Sequence, residues 1–254
     1  MGKQDIADLD IELVSDMTKT SINIFAKSSI IGTVKTRMNP PLSLKQCLEL
    51  HQALIRNTLY QVQSLSGSSI DISVCMTGIL DQALDYATDL NFPKNVAIDI
   101  QLGLDLGERL ESILRMRMEN NYSEVIFIGT DCPSLESRTI EKAIKILRHK
   151  DVVVGPALDG GYYLLGFSSY APCILKGISW GTSKVYQQTV VILEKHLIQW
   201  TGLAPKSDLD TFENLKELWQ DLKFSSFLRK KLDRDLLKVL GEIMDNSDSY
   251  LRRE

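Results

Sequence analysis

Phe25-Ala26-Lys27-Ser28-Ser29-Ile30-Ile31-Gly32-Thr33-Val34-Lys35-Thr36-Arg37-Met38 follows directly on the apolar residues Ile22 and Ile24. An apolar strand, a turn that admits close backbone approach at Gly32, and then three cations, Lys27, Lys35 and Arg37, is the layout with which an α/β enzyme holds phosphate groups. Lysine offers a compact charge, and arginine a fork that matches two phosphate oxygens. A basic turn exposed to water is the plainer alternative for any one of these side chains.

Working outward, strands and helices alternate. Apolar strand runs are expected at Ser21–Ala26, Ile70–Met76, Val96–Ile100, Val125–Ile128, Asp151–Val154 and Tyr162–Phe167, with an extended stretch at Leu197–Trp200. Helical spacing appears over Ser43–Leu65, with Ser43 as a cap. It recurs over Leu80–Thr88, in a helix that Gln101–Arg109 leads into and that runs to about Asn120, over Arg138–His149 behind Ser137, and over Ser183–His196, Thr211–Leu222 and Phe224–Met244. Val125-Ile126-Phe127-Ile128 is continuously apolar, as a strand covered on both faces must be. The pattern predicts one α/β domain with a mainly parallel central sheet flanked by helices over residues 21–222, a tail over 1–20 and a helical extension over 223–254. In such sheets ligands bind beyond the carboxyl ends of the strands.

Composition narrows the class. The chain has 254 residues, a net charge of −4 and 44% hydrophobic residues, enough for a sizeable core and unlike a nucleic-acid binder. Its four cysteines lie far apart and form no Cys-x-x-Cys pair, which argues against zinc and against a disulfide framework. No apolar run approaches the length of a membrane span, and Gly2–Asp16 lacks the apolar segment of a signal peptide; a cytoplasmic protein is expected.

Four further stations carry candidate chemistry. Asp131, in Gly129-Thr130-Asp131-Cys132-Pro133, ends the apolar strand and is placed to hold Mg²⁺ or Mn²⁺, or else to cap a helix. Asp159 precedes Gly160, Gly161 and Tyr162, where a tight backbone can meet a substrate; Asp159 is a candidate base or simply a turn former. Asp210, in Asp208-Leu209-Asp210-Thr211, is a helix cap, a second metal carboxylate, or both. Gln101, Gly103, Asp105, Gly107 and Arg109 lead into a helix, and Trp180 lies in a loop before another. His51 and His196 read as structural, and Cys132 as packing.

In order, these stations resemble the bacterial family known as domain of unknown function 2064 (DUF2064), described as nucleotide-diphospho-sugar transferase-like or as a glycosyltransferase associated with arsenosugar pathways. Its pattern is similar to F-A-K-x-P-x-x-G-x-V-K-T-R-L, Q-x-G-x-D-L-G-x-R-M, G-T/S-D-C-P-x-L, G-P-A-x-D-G-G-Y, W-S/G-T and D-x-D-T-x-E-D-L, matched from about Ile22 to Leu222. The resemblance implies a GT-A-like, Rossmann-like fold and a transferase. Lys27, Gly32, Lys35, Arg37, Gln101 and Asp105 would then serve the nucleotide phosphates, Asp131 and Asp210 the metal, Asp159 the acceptor, and Gly160, Gly161, Tyr162 and Trp180 the substrate pocket. The first motif is also similar to that of 2-phospho-lactate guanylyltransferases. Three readings stay open: a glycosyl transferase using a nucleotide sugar and a small-molecule or glycan acceptor, a nucleotidyltransferase using a nucleoside triphosphate, and a non-catalytic nucleotide-sugar binder. Ser29 stands where the family has proline and Asn214 where it has aspartate. The extension is expected to pack either on its own domain or on a second copy of the chain, as in a homodimer.

Overall fold

Val125 and Phe127 pack on one side of a central sheet and Ile126 and Ile128 on the other, so a single strand serves two hydrophobic cores. In the computed structural model, which describes residues 18–67 and 69–251, that strand is β4 (Glu124–Gly129). With β1 (Thr20–Ala26), β2 (Ile70–Met76), β3 (Val96–Ile100), β5 (Val152–Pro156), β6 (Tyr162–Phe167) and β7 (Trp200–Gly202) it forms a seven-stranded sheet in the order β3-β2-β1-β4-β6-β5-β7. Every strand runs the same way except β6, which is antiparallel to both β4 and β5. This is the mainly parallel sheet that the alternating pattern predicts.

One face is covered by α1 (Leu44–Gln63), through Ile55, Leu59 and Val62, and by α4 (Ser137–Leu147), through Ile140, Ala143 and Leu147; α2 (Leu80–Asp89) adds Ala83. The other face is covered by α3 (Leu106–Glu119), through Leu110, Ile113 and Leu114, and by Leu193 of α5 (Val185–Lys195). Each such fully buried Leu or Ile contributes about 1.5–3 kcal/mol. The outer side of α1 carries a third cluster, in which Leu50 and Leu54 meet Leu215 of α6 (Phe212–Phe224) and Leu236 and Leu240 of α8 (Arg234–Leu251). The C-terminal extension therefore packs on its own chain.

Local chemistry explains the helix starts, including those where the structure differs from expectation. Ser43 and Gln46 form a reciprocal capping box on α1. Ser137 lies inside the first turn of α4, and Glu136 occupies the cap position, its carboxylate drawn to Lys231 and Arg138 instead. α5 begins at Val185 rather than Ser183, because Thr182 and Lys184 close a turn ahead of it. The edge strand lies at Trp200–Gly202 rather than Leu197–Trp200, since Leu197 takes a left-handed φ of 54°. Phe224–Met244 is broken: Ser225 caps a short α7 (Ser226–Arg229), and Asp233 reopens the chain before α8 by accepting from the Asp235 N–H. Residues 1–17, most of the expected tail, lie outside the described residues. Among the described residues no helix is long and apolar enough to cross a membrane.

Candidate active site at the carboxyl edge of the sheet

β1 and β4 are neighbours with Phe25 opposite Gly129, so the chain segments that follow them, carrying Lys27 and Asp131, leave the sheet side by side. The 3₁₀ turn Thr36–Met38 closes the basic loop, in which Gly32 has φ 82° and Lys35 the left-handed φ of 48°. A non-glycine residue held there costs about 1–2 kcal/mol, so other contacts must hold Lys35 in place. They are specific. Its ammonium donates to Leu209 O at 2.6 Å and lies 2.7 Å from Asp131 Oδ1 and 3.1 Å from Asp210 Oδ1. Its side chain is 4% exposed, against 45% for Asp131 and 31% for Asp210. The Leu209 N–H in turn donates to Asp131 O at 2.7 Å, which pins the second acidic segment to the first. Arg37 reaches Asp210 Oδ2 at 3.6 Å from an exposed position.

The electrostatics follow from crowding. Burial would lower the pKa of Lys35, but the charges of Asp131 and Asp210 outweigh it and the net shift is upward. Burial pushes Asp131 up, and Lys35, aided by His51 and Lys27, reverses this to a net lowering. Among the described residues Asp208 forms no ion pair, and Lys35 offsets its surroundings only in part. Burial, with the charges of Asp159, Asp131 and Asp210, raises the Asp208 pKa to about 7. His51 of α1 lies behind the basic loop; its Nε2 donates to Lys27 O at 3.0 Å, and burial lowers its pKa.

The structure thus gathers Lys27, Lys35, Arg37, Asp131, Asp159 and Asp210 at one edge, the carboxyl edge of the sheet. Asp210 is not the cap of α6: Thr211 is, in a capping box with Asn214, whose amide oxygen accepts from the Thr211 N–H. Asn214 is engaged in that box. Asp159 accepts from the Gly161 N–H at 2.9 Å. Gly160 has φ 93°, its carbonyl accepts from Tyr186 N–H at 2.8 Å, and a side chain there would run into the Ser183 backbone.

Gln101 and Asp105 are engaged in the framework. The Gln101 amide donates to Ala26 O and Cys75 O at 3.1 and 2.7 Å, tying together the ends of β1 and β2. Asp105 caps α3 by accepting from Glu108 N–H. Trp180 packs edge-to-face on Tyr162 at 6.2 Å and against Gly107, where a Cβ would lie 2.8 Å from the indole nitrogen. Among the described residues the buried Tyr162 hydroxyl has no hydrogen-bond partner. Asp208 joins the acids at this edge; its spacing in Asp208-x-Asp210, which in an extended segment puts both side chains on one side, is the sequence signal for it. Two shallow concavities of about 270 and 260 Å³ lie away from this edge, one beside Lys150 and Gln199, the other beside Gln188 and Val191.

Among the described residues, no group of three or more His, Cys, Asp or Glu side chains is set to enclose a metal by itself. Two carboxylates sharing one cation do suit Mg²⁺ or Mn²⁺, which take one or two protein carboxylates and complete their shell with phosphate oxygens and water.

A seven-stranded sheet of this order with its acids at the carboxyl edge defines the GT-A-like class shared by nucleotidyl and sugar transferases. The chain is 30% identical to a crystallised protein of Desulfovibrio desulfuricans G20, provisionally named a nucleotide-diphospho-sugar transferase, over 93% of this chain and 98% of that one, with a TM-score of 0.81. A profile of the family DUF2064, described as "Uncharacterized protein conserved in bacteria", matches residues 60–182, and the chain belongs to that family. The 4-diphosphocytidyl-2C-methyl-D-erythritol synthase of Anaerococcus prevotii DSM 20548 shares the fold at 12% identity and TM-score 0.52, over 82% of this chain and 97% of that one. A cytidylyltransferase of Leptospira borgpetersenii shares it at 13% identity and TM-score 0.50, over 91% and 96%. No curated protein matches the chain.

Proposed function

We propose that this protein is a metal-dependent transferase that uses a nucleotide-sugar donor. One observation carries the reading: Lys35, Asp131 and Asp210, brought from three segments of the chain, meet at the carboxyl edge of the sheet. The name of the Desulfovibrio relative supports it.

Asp131 and Asp210 would hold Mg²⁺ or Mn²⁺, which when bound supplies positive charge to a departing nucleoside diphosphate. Lys27 and Arg37, both exposed beside those acids, would bind and orient the diphosphate, Arg37 through its fork. The Gly32 turn leaves room for phosphate oxygens to approach backbone N–H groups. Asp159, next to the crowded acids, would orient the acceptor hydroxyl and take its proton. The side-chain-free turn at Gly160 and Gly161, with Tyr162 and Trp180 behind it, would form the acceptor's wall. Calorimetric titration of UDP-, GDP- and ADP-sugars with Mn²⁺ tests this; no binding of any of them would overturn it.

The likeness of the basic loop to that of 2-phospho-lactate guanylyltransferases favours nucleotidyl transfer as the second reading. It would use the same cations and acids on a nucleoside triphosphate. Pyrophosphate release from the four triphosphates, with phosphorylated acids as acceptors, separates the two.

A further inference from the structure

We propose that Lys35 is a resident cation that occupies the two metal-site carboxylates in the ligand-free protein and gives them up only when a nucleotide diphosphate offers it new oxygens. The inference rests on the reading of Asp131 and Asp210 as the metal acids, and it concerns the order in which the site fills.

An ammonium has three N–H donors and no acceptor. Lys35 places all three, on Asp131, Asp210 and the Leu209 carbonyl. A lysine waiting for phosphate would ordinarily present its charge to water, as exposed Lys27 does. The Lys35 side chain is instead almost wholly covered, and its backbone is held in a left-handed conformation that those contacts, with the Met38 N–H bond to its carbonyl, maintain. A bare divalent ion must therefore compete with a charge already seated between its two carboxylates. A diphosphate changes the balance, because it accepts the ammonium and adds oxygens to the metal's shell. Metal and nucleotide then bind with positive coupling, and the coupling is reciprocal. Lys35 acts in this as a positioning residue.

The test uses the full chain, with Mn²⁺ followed by electron paramagnetic resonance in the absence and presence of UDP. The wild type is expected to bind Mn²⁺ alone weakly and at least about tenfold more tightly with saturating UDP, after allowing for the Mn²⁺–UDP complex in solution. Lys35→Met is expected to bind Mn²⁺ alone at least about tenfold more tightly than wild type, while losing most of the coupling; Lys35→Arg, which keeps the charge, stays weak. A merely structural lysine predicts the opposite, unchanged or weaker Mn²⁺ binding in Lys35→Met, and that result overturns the proposal. Should Lys35→Met fail to fold, the wild type decides: Mn²⁺ binding indifferent to UDP overturns it. No Mn²⁺ binding by any form, with or without UDP, overturns the transferase reading as well, whereas wild-type binding without a Lys35 effect overturns this inference alone.

Discussion

Two groups of charged and polar side chains lie close to the same strands, and they are built on opposite principles. Against the face covered by α3, Arg117 donates to Asn23 Oδ1 at 3.0 Å and to Ser73 Oγ at 2.8 Å, and pairs with Asp99. There one cation meets one anion, and the neutral partners belong to neighbouring strands β1 and β2. At the carboxyl edge, Lys35 faces Asp131 and Asp210, with the further acids Asp208 and Asp159 near enough to repel. The first group is balanced and closed, the second crowded and partly open to water. A charge balance left unmet in the folded chain is what a site awaiting a charged ligand looks like, whereas a balanced one serves the framework.

The sharpest way to break that contrast is to remove an acid from the crowded group. Asp131→Asn is expected to lower turnover by about a thousandfold, roughly 4 kcal/mol in the barrier. The measurement is the initial rate with whichever donor binds; a variant that keeps most of its rate would remove Asp131 from the chemistry. Arg117→Met makes the complementary change in the balanced group. It leaves Asp99, 20% exposed, without its cation, and is expected to cost about 3 kcal/mol of stability in a urea titration. Nucleotide affinity should stay as in wild type. Lost affinity with unchanged stability would mean that the two groups had been assigned the wrong way round.

How much of this contrast the chain discloses before folding depends on what each feature requires. β3, β4 and β6 are legible because their apolar runs end at glycines, turns or polar residues. The carboxyl-edge position of Asp131 follows from the strand before it. The neutralisation of Lys35 by Asp210 spans 175 positions and depends on a hydrogen bond between Leu209 and Asp131, which no spacing announces. Arg117 reads as one more polar residue on a helix, and only the pairing of β1, β2 and β3 gives it partners. The break between α7 and α8 is hidden because apolar residues on either side keep helical spacing across it. Asn214 reads as a loss until the capping box shows what it bonds to.

A smaller effect sharpens the claim that the edge is overcrowded. Asp208 has three acids acting on it, so Asp208→Asn should raise stability, by about 1 kcal/mol at pH 8 in the same urea titration. A loss of stability of that size would show that the acids are already balanced by neighbouring cations.

His51 supplies the smallest and most pH-dependent test, because it stands between the two principles: buried like the framework group, yet within reach of the charges of Asp131, Lys35 and Lys27. A carbonyl can only accept, so the bond to Lys27 O requires a proton on Nε2. Burial favours the neutral ring, and the Lys27 carbonyl and Asp131 oppose this without reversing it. The folded pKa thus lies below the unfolded value near 6.5, and the unfolded chain binds the extra proton first as pH falls. The contribution of His51 is complete above about pH 7 and is lost on acidification through 6.5 toward the folded value. Wild-type urea midpoints should therefore fall between pH 7.5 and 5.5 by more than those of His51→Gln, which cannot titrate. Equal falls in the two proteins would mean that the ring is already charged when folded, and that the crowded acids govern this residue more strongly than the core does.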